Sequence, residues 1–485
     1  MSKKDLQKRP NILFLMADQF RGDMLGCLGG PAKTPNLDAL VAEGICFTNC
    51  MTSAPLCVPA RISMMTGKYP HTTGAWNNAY YVLSPEADLW TKVIKEQGYG
   101  TGVIGKLHLH TDFGDMIARE PIVHGYGFDF VNEISGPHSS CQTRTHMTEE
   151  WQEKGVFDEY CKDMNSRNTG AFVRPSPLPL EEYYDVYVGR EGRSYLESYT
   201  GDAPWFCHVS FGGPHEPWDT PKPYADLYDG QDMPEPLPIV EESAEDRPRG
   251  EYDRLMAKEK VRCDREMAAK LRADYSGSVT LIDEQIGGLF QAIRDRGEWD
   301  HTVVLFVSDH EEMNGDHGLV HKRSFFRPAI NIPLILRTPE TAKHGGAFSD
   351  ALVSLLDVGP TLVELSGGEI TYEQMGRSLC HMIQDPSRQH RDYLLAEYAG
   401  EIMYMDRGWK IVCNAKGEPY LLFDLVHDSG ETKNLIGAPE YAEEQAKLER
   451  LMLRVLAENR CLRPAVMQAP LLPEDAGFQR SVVLE

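Results

Sequence analysis

The chain has 485 residues, 41% of them hydrophobic and 25% charged, and a formal charge of −24. This length allows one large or two ordinary domains with ample core, and the composition is that of a soluble globular protein. The acidic balance disfavours nucleic acid as a partner and favours a small anionic substrate held in a locally basic pocket.

Residues 1–10 are basic but run straight into an apolar segment, without the apolar core and small-residue cleavage site of a secretory signal. The apolar stretches are strand-sized, so no membrane span is expected and the chain reads as cytoplasmic. Residues 11–17 form a continuous apolar run ending in Asp18-Gln19, the pattern of a buried parallel strand with polar groups at its C-terminal end. A helix over 34–44 stops at Gly44, and a second over 89–97 is closed by Gly98. The strand at 101–105 delivers Lys106 and His108, and that at 205–211 ends before Pro214-His215. A helix over 281–294 precedes the strand 302–307, which ends at Ser308-Asp309-His310. Helices alternating with such strands predict a doubly wound α/β domain over 1–385, its sheet mainly parallel and flanked by helices. Within it, 131–200 and 219–262 read as irregular excursions over the mouth of a site.

Past residue 385 the pattern changes. Short strands at 393–397, 403–405, 409–413 and 420–424 predict a smaller antiparallel sheet, followed by a helix over 440–458. These make a C-terminal α+β subdomain, 386–485, whose tail from Cys461 is free to pack on the body or on a second copy in a homo-oligomer. Eleven cysteines without a CxxC or regular framework fit reduced, buried thiols better than disulfides or a zinc site.

Four apolar strands each stop at ionisable residues, and their convergence would make one polar site. Asp18, Gln19, Asp309 and His310 could meet on one ion from two strand ends, or serve as turn formers; oxygen-rich ligation suits a hard divalent ion. Cys57 opens Cys57-Val58-Pro59-Ala60-Arg61, and a cysteine there is a buried structural thiol, a thiolate nucleophile or something more specialised. His215 is suited to proton donation because imidazole titrates near working pH.

These motifs occur in order with Thr34-Pro35-Asn36-Leu37-Asp38, Gly105-Lys106-Leu107-His108, Gly315-Asp316-His317-Gly318, Lys322, Phe423-Asp424-Leu425 and Gly430-Glu431-Thr432-Lys433-Asn434-Leu435. Over most of its length the chain therefore resembles the type I, formylglycine-dependent sulfatases of the alkaline phosphatase-like superfamily. The resemblance implies that a maturation enzyme oxidises Cys57 to formylglycine, whose hydrate attacks sulfur and then expels sulfate. It implies one divalent metal on Asp18, Gln19, Cys57, Asp309 and His310, most often Ca2+, with the imidazole and amide leaving Mn2+ or Mg2+ open. Arg61 would fix the nucleophile, Lys106 and Lys322 would hold the sulfate oxygens, and His108 would contact the nucleophile. His215, assisted by Lys322, would protonate the leaving alcohol, and Asn78 would be a substrate contact. The implied activity is hydrolysis of a sulfuric ester on a small organosulfate, a sulfated carbohydrate above all. The alternative is a phosphonate monoester or phosphodiester hydrolase of the same superfamily, favoured by Ala60, Asp18-Gln19 and Asp309-His310 and opposed by Lys106-Leu107-His108. A remoter alternative is a non-catalytic binding protein that retains the fold.

Overall fold

The apolar run from Asn11 lies in the interior of a nine-stranded sheet. The computed structural model describes residues 9–78, 81–167, 173–258, 263–459 and 467–468. The sheet comprises β1 (Asn11–Asp18), β2 (Ile45–Met51), β3 (Gly100–Gly105), β4 (Phe130–Glu133), β5 (Trp205–Pro214), β6 (Thr302–Ser308), β7 (Asn331–Arg337), β8 (Ala347–Ser349) and β9 (Val353–Ser354). Their order in space is β8-β2-β7-β6-β1-β5-β3-β4, with β9 paired to β2 off this path. β6, β1, β5, β3 and β4 run parallel, and β7 is antiparallel to both its neighbours.

Side chains alternate across the sheet with the period of two that a strand imposes. Ile12, Phe14 and Met16 enter one core and Leu13, Leu15 and Ala17 the other. Helices α1 (Pro35–Glu43), α2 (Cys57–Thr66), α3 (Trp90–Glu96), α4 (Tyr184–Ser198), α5 (Arg265–Asp295) and α6 (Val358–Leu365) cover the two faces. The first core takes residues of α2, α3 and α6, and the second takes those of α1, α4 and α5. With both faces covered, β1 and β6 are buried at every position, which is why they read as unbroken apolar runs.

Three expectations need correction. Residues 131–200 are not mainly irregular: they contain helices at His146–Glu153 and Phe157–Arg167 as well as α4. The glycines and charges of α4 disguise it, yet Gly189 and Gly192 are where it closes on α5, since a Cβ there would sit 2.7 Å from Gln285 and 2.9 Å from Leu289. α5 is also longer than expected, starting at Arg265 because the Asp264 carboxylate caps the Met267 amide. Finally, Cys141 and Cys161 form a disulfide with Cα atoms 5.4 Å apart. A turn and a helix bring them together, so their sequence spacing carries no sign of it. Among the described residues the other cysteines form no disulfide.

The second sheet is an antiparallel meander of β10 (Leu394–Tyr398), β11 (Glu401–Met405), β12 (Trp409–Cys413) and β13 (Pro419–Asp424), followed by helix α7 (Ala442–Glu458). It is joined to the first body by buried ion pairs. Asp357 binds Arg391 and His390, and Glu397 receives both the backbone and the imidazole of His71, the latter at 2.6 Å. Residues 1–8 and the tail from Cys461 lie outside the described residues, apart from a two-residue strand at Met467–Gln468 that pairs with Val82–Leu83. Among the described residues no helix is long and apolar enough to cross a membrane.

Candidate active site

Because β6, β1, β5 and β3 are parallel neighbours, their C-terminal ends form a row. That row presents Asp309 and His310, then Asp18 and Gln19, then His215, then Lys106 and His108. Such an edge is where open α/β sheets bind ligands. Gly105 makes the last position possible. It has φ +97° and a Cβ would lie 1.9 Å from the Ser210 carbonyl oxygen, so only glycine lets β3 turn into Lys106 against β5. At the end of β5 the Asp185 carboxylate of α4 accepts the Gly212 and Gly213 amides at 2.8 and 3.1 Å, fixing the backbone that leads to His215. Burial outweighs those two bonds and pushes the Asp185 carboxyl up to about 7.

Cys57 is the first residue of α2, where the helix dipole favours negative charge. Pro59 fits the first turn, and Arg61 lies one turn on, beneath Cys57. Arg61 is 1% exposed and donates to Asp309 at 2.7 Å, Asp18 at 3.2 Å, Ser210 at 3.1 Å and the Lys106 carbonyl. Lys106 Nζ meets the same Asp18 oxygen at 2.5 Å. The Cys57 sulfur is 3.0 Å from His310 Nε2 and 3.8 Å from Asp18 Oδ1. Burial alone would raise the Cys57 thiol, but Lys106, His310 and Lys322 hold it well below the usual thiol range. Burial and the Cys57 sulfur likewise push Asp18 up, while Lys106, His215 and Arg61 bring it down to about 2. The floor of the site therefore favours anions.

Asp18, Cys57, Asp309 and His310 each offer a donor atom within 4.8 Å of the others. The donor set fits a divalent ion, and His310 supplies a specific test of that fit. Its Nδ1 lies 3.1 Å from the Glu311 carbonyl, which can only accept, so Nδ1 carries a proton and Nε2 is the ring nitrogen turned to the cluster, the atom that would bind an ion on giving up its own proton. Gln19 is arranged differently. Its amide N–H donates to Asp309 at 3.1 Å, while its side chain turns away, accepting from Lys322 and donating to Glu216 at 2.8 Å and to Glu312.

That side chain leads into a second cluster. Lys322 Nζ is 2.6 Å from His215 Nε2 and 3.4 Å from each oxygen of Glu216. Glu216 also lies 3.1 Å from His321 Nδ1, and Glu312 accepts the His321 amide. The expected residues Lys322 and His215 are thus brought together with each other, and Lys106 with the Cys57 cluster. His108 lies 3.6 Å from Asp112 and, secondary to the lysines, adds a hydrogen bond that lowers the Cys57 thiol. Asn78 Oδ1 accepts the Val58 amide at 3.0 Å, so it caps the Cys57 helix while the rest of the residue stays exposed. Asp316 and His317 hold the loop, Asp316 through Arg272 and Arg21 and His317 through the Pro238 carbonyl.

Gln19, His108, His321 and Arg323 all have positive φ, between 58° and 75°. Left-handed backbone is costly for residues other than glycine and persists where the surroundings over-determine it. The sequence reading misses Glu216, Glu312, His321, Asp112 and Ser210. Glu216 and His321 are sequence neighbours of His215 and Lys322, which was a usable signal. Two acids beside an anion pocket ran against the expected basic lining.

The family model described as Sulfatase matches residues 10–368, and one described as N-sulphoglucosamine sulphohydrolase, C-terminal, matches 315–458. The chain is 29% identical to an arylsulfatase of Clostridium perfringens, over 92% of this chain and 94% of that protein. It is 29% identical to an ulvan-active sulfatase of Formosa agariphila, over 94% and 83%. Among solved structures, the phosphonate monoester hydrolase of Agrobacterium radiobacter superposes with a TM-score of 0.75 at 24% identity, covering 95% of this chain and 100% of that one.

Proposed function

The chain belongs to the sulfatase family, and from that premise we propose that it hydrolyses the sulfate ester of a small sulfated carbohydrate. The observation that carries this reading is the placement of Cys57 at a helix N-terminus and inside the Asp18–Asp309–His310 cluster, with Lys106 and Lys322 near enough to favour its charged form. The carbohydrate is supported by the match of residues 315–458 to the C-terminal model of a sulphoglucosamine hydrolase and by the likeness to the ulvan-active sulfatase. The likeness to the phosphonate hydrolase concerns the fold alone.

Asp18, Asp309, His310 and the oxidised residue 57 would hold one divalent ion, with Ca2+ first and Mn2+ or Mg2+ admitted by the imidazole. The ion would supply polarisation of the ester oxygens. Formylglycine, made from Cys57 by a maturation enzyme, would supply an oxygen nucleophile. The chain's own residues do the rest. Lys106 and Lys322 neutralise the sulfate oxygens as their charge grows, Arg61 fixes residue 57 and both carboxylates, and His108 orients the nucleophile. His215 with Lys322 passes a proton to the departing alcohol.

The test is turnover of a sulfated aryl ester and a panel of sulfated sugars by protein from a host with the maturation enzyme, beside Cys57→Ala. Mass spectrometry of the peptide spanning residue 57 reports conversion to the aldehyde. Undiminished turnover by Cys57→Ala refutes the mechanism. Faster turnover of matched phosphonate or phosphodiester esters moves the assignment to that branch, which Asp309-His310 and Asp18-Gln19 favour and Lys106 with His108 opposes.

A further inference from the structure

We propose that Glu216 is a positioning residue that decides which leaving groups the site can expel, by holding the Lys322–His215 pair against the leaving oxygen. This rests on the sulfate ester hydrolase reading above and assigns a role to a residue outside its machinery.

Glu216 is the residue after His215, and its side chain folds back into the site with 13% of its surface exposed. One carboxylate gathers four partners. It accepts from Gln19 Nε2 at 2.8 Å and lies 3.4 Å from Lys322 Nζ, 3.3 Å from His215 Nδ1 and 3.1 Å from His321 Nδ1. Three of those partners can carry positive charge. The other acid nearby, Glu312, is bonded to Gln19 and to the amides of Asn314 and His321, so it cannot replace Glu216 at Lys322. Removing the Glu216 charge leaves Lys322 and two imidazoles facing one another in a largely buried space, where like charges repel strongly.

The proton at stake can be located. His215 Nδ1 lies 2.6 Å from the Glu216 carbonyl oxygen, which accepts only, so Nδ1 carries hydrogen and Nε2 faces Lys322 Nζ at 2.6 Å. A single proton is therefore shared between Nε2 and Nζ, and Glu216 grips this pair at both ends, its carbonyl on the imidazole and its carboxylate on the ammonium. In the reaction a bond forms between the nucleophile oxygen and sulfur, and the bond from sulfur to the leaving oxygen breaks. The electron pair stays on that oxygen, and the shared proton moves onto it. An aryl oxyanion that is stable by itself leaves without this proton, whereas an alkoxide or sugar oxyanion does not.

The experiment is a leaving-group series of sulfate esters, from 4-nitrophenyl through phenyl to alkyl and sugar sulfates, with metal-loaded, matured wild type, Glu216→Gln and Glu216→Asp. For Glu216→Gln we expect kcat on alkyl and sugar sulfates to fall about 10²-fold while 4-nitrophenyl sulfate changes by no more than about threefold and KM holds. Glu216→Asp, which keeps the charge on a shorter arm, falls between the two. Metal content and melting temperature are measured on the same samples. Loss by one common factor across the series, or no loss, overturns the proposal, because a merely structural residue does not steepen the leaving-group dependence. Should Glu216→Gln fail to fold, Glu216→Asp carries the same comparison with the same two outcomes. Wild type inactive on every sulfate overturns the hydrolase reading itself and this proposal with it.

Discussion

Arg61→Ala tests whether one buried guanidinium holds the two strand ends of the site together. Arg61 bridges Asp309 at 2.7 Å and Asp18 at 3.2 Å, carboxylates from the ends of adjacent strands. Truncation leaves Asp309 without this ion pair and Asp18 with Lys106 alone, where neither carboxylate is measurably exposed to water. Breaking a buried ion pair by removing one partner costs about 3–5 kcal/mol. For 485 residues the unfolding entropy near the transition is about 1 kcal/mol per kelvin, so the melting temperature should drop by about 3–5 °C. Metal affinity or turnover should fall by about 10–100-fold, the usual consequence of losing a group that orients metal ligands. Arg61→Lys keeps the charge but cannot fork to both acids, so it should recover part of the stability and little of the turnover. Calorimetry, metal analysis and aryl sulfate kinetics on the same three proteins provide the readouts. Arg61→Ala that melts with wild type and retains its metal and turnover refutes the reasoning.

Three further outcomes are expected. Asp309→Asn removes one of the two carboxylates in the cluster and the shorter Arg61 bond, so metal analysis should show bound divalent ion falling from about one per chain to a small fraction. Asp357→Asn should cost about 3–5 kcal/mol at neutral pH, because Arg391 stays buried without its partner. Burial pushes Asp357 up, yet Arg391 and His390 hold it well below the carboxylate range. Its stabilisation is therefore full above the unfolded value of about 3.9 and is lost as pH falls through the lower folded value, so acid denaturation of the variant should show a flatter slope there. Peptide mapping without reductant should link Cys141 to Cys161, and Cys141→Ser should lower stability by about 3 kcal/mol for a 20-residue separation.

Much of the parallel sheet was legible because β1 and β6 are buried on both faces and their apolar runs stop at ionisable residues. β2, β7 and β8 were not, since cysteines, a threonine and an asparagine interrupt β2, Pro333 interrupts the otherwise buried β7, and β8 is short and partly exposed. α4 was hidden because close packing on α5 requires glycines, which in sequence resemble a loop. The site followed the same division. Groups delivered by strand ends, such as Asp18, Lys106, His215 and Asp309, could be placed from the pattern alone. Those placed by long-range contact, such as Glu312 and the disulfide, had no local signature.

Gln19 links the two halves of the site and shows why an amide suits that position. Its backbone N–H supports Asp309 in the metal cluster, and its side chain faces Glu216, Glu312 and Lys322 in the leaving-group cluster. A carboxylate there would be a third anion among Glu216 and Glu312 with nothing to donate. The amide donates to both acids and accepts from the ammonium, satisfying all three at no cost in charge. With that side chain turned away, Asp18 and Asp309 are the carboxylates of the metal cluster, and Arg61 is the group that bridges them. The acids beside Lys322 and the neutral residue beside Asp18 are thus one arrangement, in which the side chain of residue 19 serves the proton-donating pair while its backbone supports a carboxylate of the metal cluster.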